Sequence, residues 1–288
     1  MPELPEVEVV KRSLKNSIKD LTIKKMTFNS YKLRYKIKKK DFNKIINKKI
    51  LSIKRRSKYL FIILSQGLTI LIHLGMTGKF FIVNKNGIKS KTSFYYQIND
   101  KDHKHNHIIF HLSKNTKLIY NDVRKFGFIK IFPSNKLKQN SHLKFLGPEP
   151  LSAKFDLKYF KKYIINKKRK LKDILMDQKF VSGLGNIYVN EILFLSKLKP
   201  TKTTRSLKNS DMIKILYFTR KILRSSIKTG GSSIKNFEDS FGVSGKFQQQ
   251  FNVYARDGEK CTKNKCSGII KKSNISNRSS FFCTTCQK

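Results

Sequence analysis

The chain has 288 residues and 39% hydrophobic content, enough for one large or two modest domains with cores of their own. It carries 63 Lys+Arg against 18 Asp+Glu, a formal charge of +45, which points to a polyanionic partner, nucleic acid before membrane surface. The four Cys crowd the C-terminal end, and the most apolar stretch, 59–76, is broken by Ser65-Gln66-Gly67, so both a dispersed disulfide scaffold and a membrane span are disfavoured. Lys, Asn and Ile are abundant everywhere, so Lys content alone does not locate a groove.

Acid is concentrated at the start, Met1-Pro2-Glu3-Leu4-Pro5-Glu6-Val7-Glu8, in an otherwise basic chain. Helix chemistry explains part of this. Pro5 suits the first position of a helix, and carboxylates in the first turn suit the positive end of its dipole. Val7, Val10, Leu14 and Ile18 then form an apolar stripe, predicting an amphipathic helix. A second reading starts from the terminus. Met before Pro is expected to be trimmed, leaving Pro2 as a secondary amine with a pKa of about 8. Buried, positive surroundings would leave more of it unprotonated and nucleophilic. Such an amine attacks an aldehyde-like carbon to form an iminium. Glu3 stands beside it as proton donor or acceptor, and Glu6 would orient the terminus or a water. The acidic start also predicts no signal peptide.

From Leu21 to about Phe132 the pattern becomes that of strands, predicted at 59–64, 68–74, 94–98, 107–112, 117–120 and 128–132, in a mostly antiparallel sandwich or barrel. Lys58 ends the run Lys54-Arg55-Arg56-Ser57-Lys58 at the entry of a strand, where an exposed basic turn is the plain reading. The turn His73-Leu74-Gly75-Met76-Thr77-Gly78 places an apolar tip, Met76, between glycines. In Asn121-Asp122-Val123-Arg124-Lys125-Phe126-Gly127, Phe126 lies beside the fork-shaped donor Arg124. Apolar tips of this kind can wedge into a base stack. His103-Lys104-His105-Asn106-His107 has the look of a metal tract, but alternating residues at a strand edge face opposite ways, so a loop with one phosphate-contacting His is expected. No G-x-S-x-G elbow supports a serine hydrolase. Residues 133–150, with Leu146-Gly147-Pro148-Glu149-Pro150, read as a linker.

Helical periodicity follows. Asp156 can cap one helix and residues 171–176 start another. Gly183-Leu184-Gly185 then leads into a helix running to about 198. That arrangement suits a phosphate held by backbone N–H groups, though it fails as a dinucleotide fingerprint because no strand precedes it and the third Gly is missing. A long helix is predicted over 206–228. The tail carries Cys261-x4-Cys266 and Cys283-x2-Cys286, two pairs suited to clamping a β-hairpin around one structural Zn2+. Arg278 lies near the hairpin tip, where a guanidinium can grip a phosphate.

The opening Met1-Pro2-Glu3-Leu4-Pro5-Glu6-Val7-Glu8, the two turns, the segment 171–191 and the Cys tail, in that order, resemble the formamidopyrimidine-DNA glycosylases. The endonuclease VIII branch typically has Gly where this chain has Leu4. The resemblance implies an α+β multidomain protein with an N-terminal helix plus antiparallel β-sandwich (1–132), a linker (133–150), a C-terminal helical domain with a helix–two-turn–helix (151–250) and a zinc-bound β-hairpin (251–288). It implies a bifunctional DNA glycosylase/AP lyase acting on 8-oxoguanine and formamidopyrimidines. Pro2 would attack C1′, and β- and then δ-elimination would cut the strand. It gives Lys58 a part in proton transfer, and Met76, Arg124 and Phe126 the filling of the gap left by a flipped nucleotide. It makes His105, Lys167, Lys172 and Asn186 DNA contacts, and Arg278 a holder of phosphates at the lesion. Family members normally show C-x2-C in the first Cys pair, so the x4 spacing departs from the pattern. The expected partner is damaged double-stranded DNA, with no membrane, and the expected form a monomer in a bacterial cytoplasm, associated with the nucleoid when acting. An endonuclease VIII-like enzyme for oxidised pyrimidines and a non-catalytic zinc-bearing nucleic-acid binder are the alternatives.

Overall fold

The computed structural model describes residues 1–92, 100–231 and 251–288. The strand expected at 94–98 and the segment 234–250 lie outside the described residues. Helix α1 (Leu4–Ile18) comes first, then strands β1 (Ile23–Phe28), β2 (Ile50–Arg56), β3 (Tyr59–Leu64), β4 (Leu68–His73), β5 (Lys79–Val83), β6 (Lys89–Lys91), β7 (Asn106–Leu112), β8 (Thr116–Asn121) and β9 (Phe128–Pro133), with a short helix α2 (Lys39–Asn43) after β1. Helices α3 (Leu157–Ile164), α4 (Leu171–Met176), α5 (Asn186–Leu195) and α6 (Asn209–Lys228) follow, and the hairpin β10 (Ile270–Ile275) and β11 (Arg278–Cys283) ends the chain. The chain divides into two compact units. The first holds Met1–Lys144 and residues 229–231, the second Phe145–Lys228 and residues 251–288. No described helix is long and apolar enough to cross a membrane.

The first unit is a sandwich of two antiparallel sheets, ordered β1-β7-β8-β5-β6 and β2-β3-β4-β9. Strands β1, β2, β5 and β6 are not among those predicted; Lys and Ser interrupt the alternation of β1 and β2, and β6, Lys89-Ser90-Lys91, has no apolar residue. The apolar positions of β1, β2 and β5 nevertheless join the core, as Ile23, Ile53 and Phe81 do. Helix α1 lies against β2 and buries Val7, Val10, Leu14 and Ile18 completely, which contributes roughly 6–10 kcal/mol of gross burial. The run Tyr59–Leu64 is apolar on both faces for a reason visible only in three dimensions. Leu60, Ile62 and Leu64 enter the main core, while Phe61 packs outward with Leu71 and Phe128 under Leu137 and Leu143. The first half of the predicted linker therefore covers a sheet.

The second half is also built in. Gly147 N donates to Gln178 O at 2.8 Å, and a Cβ there would come within 2.4 Å of Lys179 and Phe180 carbonyls, so the close approach requires Gly. Asp156 caps α3, its Oδ1 accepting from Tyr159 N at 2.7 Å. Gln178 shapes the G-x-G turn. Its Oε1 accepts from Gly183 N at 2.8 Å and its Nε2 donates to Leu184 O at 2.8 Å, while Gly183 takes a φ of +98°.

Candidate active site and nucleic-acid interface

The acidic start serves both readings at once. Glu3 is the N-cap of α1, and its backbone N–H donates to Glu6 Oε2 at 2.8 Å, closing a capping box. Pro2, Glu3 and Glu6 are all buried. Gly231, at φ +89°, lies over Glu6, so that even a methyl there would sit 3.4 Å from its side chain. The chain's terminal amine, here that of Met1, is held below its ordinary pKa by burial. Glu3 and Glu6 oppose the shift, and the charges of Lys58 and Arg124 add to it.

Lys58 is not on an exposed turn. It is 7% exposed, follows Ser57 in a left-handed conformation (φ +56°), and joins β2 to β3. Arg55 holds that turn: its Nη1 donates to Ser57 O at 2.9 Å and its Nε to Glu8 Oε2 at 2.9 Å. Burial works to raise the Glu8 pKa, but hydrogen bonds from Lys11 and Arg55 outweigh it and keep the carboxyl below its ordinary value. Glu8 is thus an anchor tying α1 to the turn that carries Lys58, a role sequence spacing could not reveal.

His73 also escaped the sequence reading. Burial, with Lys58, Arg34 and His142 adding, brings its pKa down to about 4. The ring is neutral, and its Nδ1 accepts from Gly75 N at 3.0 Å, shaping the turn that carries Met76. Met76 and Phe126 are 39% and 47% exposed, unusual for large apolar side chains, and Val123 beside them is 45% exposed. The Arg124 guanidinium lies 4.6 Å from the Phe126 ring centre. The three histidines at 103–107 do not converge. His103 is exposed, His105 half-buried at the end of a 3-10 turn, and His107 buried, its Nε2 donating to Asp122 O at 2.8 Å.

The second unit assembles a different set. The four sulfurs of Cys261, Cys266, Cys283 and Cys286 lie within 4.8 Å of one another, with Cys261–Cys286 at 3.8 Å and Cys266–Cys283 at 3.7 Å. Tetrahedral thiolates around Zn2+ would sit about 3.8 Å apart, so the four thiols fit such an ion. The wider first knuckle closes through Cys266 N to Lys263 O at 3.1 Å, and Lys263 N and Cys286 N both point to sulfur at 3.5 Å. The four thiols are the only such metal-ligand cluster among the described residues.

Arg278 is exposed and opens β11 directly after a tight turn in which Ser276 and Asn277 both take positive φ, a type I′ geometry. Lys172 is 1% exposed and faces the hairpin, donating through Nζ to Ser279 O at 3.1 Å and to Ser280 Oγ at 2.5 Å. Burial first, then the nearby Arg278 charge, lowers its pKa to about 8, against the opposing pull of Asp173. Asn186 Nδ2 donates to the same Ser279 carbonyl at 2.9 Å. The two residues expected to touch phosphate therefore hold the backbone next to Arg278. Lys167 turns its ammonium to Tyr163 O and that residue's ring. Glu191, buried and unnoticed in sequence, takes four hydrogen bonds of 2.9 Å from Asn252, Val253 and Tyr254 and ties the chain leading to the hairpin onto α5.

A helix-started antiparallel sandwich with Pro2, Glu3 and Glu6 buried at its head, and a helical unit ending in a four-cysteine hairpin, define the architecture of one class of DNA-repair glycosylases. Family models agree: that of the Formamidopyrimidine-DNA glycosylase N-terminal domain matches residues 1–129, and that of the Formamidopyrimidine-DNA glycosylase H2TH domain matches 146–238. The chain is 39% identical to a formamidopyrimidine-DNA glycosylase of Rickettsia bellii and 37% identical to one of Rhodopseudomonas palustris, over the full length of each chain. Among solved structures, wild-type Lactococcus lactis Fpg (MutM) in complex with N7-benzyl-Fapy-dG DNA superposes with a TM-score of 0.85 at 33% identity, covering both chains fully. A complex of the Lactococcus lactis protein with abasic-site DNA gives the same TM-score at 32% identity, covering 99% of each chain. The chain belongs to the formamidopyrimidine-DNA glycosylase family.

Proposed function

We propose that the protein excises oxidised purines, 8-oxoguanine and formamidopyrimidines, from duplex DNA and then cuts the strand, working as a monomer in a bacterial cytoplasm. The observation that carries this reading is the start of the chain: Pro2, Glu3 and Glu6 are buried together at the head of α1, and the charges of Lys58 and Arg124 bear on the terminal amine. Once Met1 is removed, the Pro2 nitrogen attacks C1′ of the damaged nucleotide and the base leaves. The iminium acidifies the neighbouring sugar C–H, and elimination on both sides cuts the strand. Glu3 moves protons at the opened sugar. Glu6 holds the Glu3 backbone and so aims the terminus. Lys58 assists proton transfer in elimination. Met76, Arg124 and Phe126 fill the gap left by the flipped nucleotide, which offsets an unstacking cost of a few kcal/mol. His105 and Lys167 contact the DNA backbone, as do Asn186 and, through the hairpin it anchors, Lys172. Arg278 grips phosphates at the lesion. The ion held by the four Cys is Zn2+, and its part is structural, since four protein ligands leave no open position for water.

The test is borohydride trapping on duplex DNA with one 8-oxoguanine opposite cytosine, the adduct being mapped by mass spectrometry. An adduct on residue 2 is the expected result. An adduct formed only with an oxidised pyrimidine would replace the purine reading with a pyrimidine one. Binding without any adduct would leave a non-catalytic DNA binder.

A further inference from the structure

We propose that Asp122 and Thr77 fasten the Met76 turn to the Arg124–Phe126 turn, so that the two wedges enter a duplex as one body. The inference rests on the wedge role given above to Met76 and Phe126. Asp122 is fully buried, yet it belongs to no catalytic group. Its carboxylate reaches both turns. One oxygen accepts from Thr77 Oγ1, next to Met76. The other accepts from Gly127 N at 2.8 Å, next to Phe126, and from Tyr120 OH at 3.3 Å. Thr77 completes the link by accepting from Arg124 N at 3.0 Å through the same hydroxyl. The two Thr77 bonds join residues 45 and 47 positions apart, and the Gly127 bond closes the second turn on itself over five.

The backbone supports the same junction. A Cβ on Gly75 would lie 2.4 Å from Gly127 N, and one on Gly127 would lie 1.9 Å from Tyr120 OH and 2.7 Å from His73 O. The two turns thus touch main chain to main chain, at a distance only glycine permits. Asp122 itself is held at both ends of its peptide. Its N–H donates to His105 O at 3.1 Å, and its carbonyl accepts from His107 Nε2 at 2.8 Å and from Lys125 N at 3.2 Å. A buried carboxyl group is tolerated only when its oxygens find donors, and here the donors come from both turns. The purpose the geometry points to is simultaneity. Two exposed wedges on independent turns would each lose conformational entropy on insertion, whereas a pre-joined pair has already lost it.

Thr77→Val keeps the shape and removes both hydroxyl bonds, while Thr77→Ser keeps them. In the free protein, amide exchange of peptides covering 75–78 and 124–127 should quicken together by about tenfold in Thr77→Val and stay near wild type in Thr77→Ser. Exchange that quickens in one turn only, or in neither, overturns the fastening. With DNA, Thr77→Val should slow single-turnover excision of a paired 8-oxoguanine by about thirtyfold, and cleavage at a preformed abasic site, where no base must be extruded, by less than about threefold. The rise of a 2-aminopurine signal beside the lesion should slow in step with excision. Equal losses on both substrates would sink the proposal. A wild-type protein inactive on every damaged DNA would remove the functional reading instead, and the exchange measurement would still judge the fastening.

Discussion

The terminal-amine site and the cysteine hairpin reach order by opposite routes. The first is held by a sandwich whose core runs from Val7 to Ile129, with polar links laid over it. The second rests on a small cluster, Phe194, Val253, Ile270 and Phe281 with Cys261 and Cys283, too small to order a hairpin alone. It is tied down instead by four clustered thiols placed to hold a metal and by clamps such as Glu191 and Lys172. The lesson is that one chain can order one region by apolar burial and another by polar clamps and clustered thiols.

Blocking the amine is the largest perturbation of the first region alone. A form that retains Met1 should lose borohydride trapping by at least about a thousandfold while binding DNA and chelating metal normally. Normal trapping with Met1 in place would remove Pro2 from the mechanism. Removal of the metal, by chelation or Cys283→Ser, strikes the second region. Structural zinc contributes an apparent 10–16 kcal/mol in small domains, so strand cleavage should fall by about a hundredfold or more. The thermal transition of the first unit should hardly move. Its collapse on chelation would show that the two regions do not order independently.

Lys172→Met sharpens the contrast inside the second unit. The stem still packs, but the Ser279 carbonyl keeps only Asn186, and excision should drop by about tenfold as Arg278 loses its fixed backbone. Unchanged excision would make Lys172 a packing residue. With a folded pKa of about 8 against an ordinary 10.5, Lys172 binds fewer protons folded than unfolded across that window. Its contribution to stability therefore rises with pH there.

Acid should weaken the first unit in a predictable direction. His73 is lowered to about 4, and His107, His111 and His142 are all lowered by burial first. These depressed groups contribute stability that is complete above about pH 6.5 and is lost as pH falls through their folded values. For His73 the loss is of order 2–3 kcal/mol by pH 4. Melting curves of the wild type and His73→Phe between pH 7.5 and 4.5 should converge as the pH drops. The smallest expected effect is that of Glu8→Gln, which loosens Arg55 and the Lys58 turn. Elimination at an abasic site should slow by about threefold, with base excision nearly unchanged.

The features legible along the chain are local. The helix start with its Pro5 and first-turn carboxylates, the cap at Asp156, the turns bearing Met76 and Phe126 and the paired Cys are each spelled within a few residues. Short-range chemistry of that kind survives without knowledge of the fold. Which side chains those elements meet depends on the fold. The Glu8–Arg55 pair spans 47 positions, Thr77–Asp122 spans 45, and Lys172–Ser279 spans 107. It buried Lys58 where the basic run suggested an exposed turn. It also drew Lys172 under the hairpin and covered the outer face of β3 with part of a predicted linker. The reason is physical: burial and partner choice depend on which surfaces the core brings together, and no spacing along the chain encodes that.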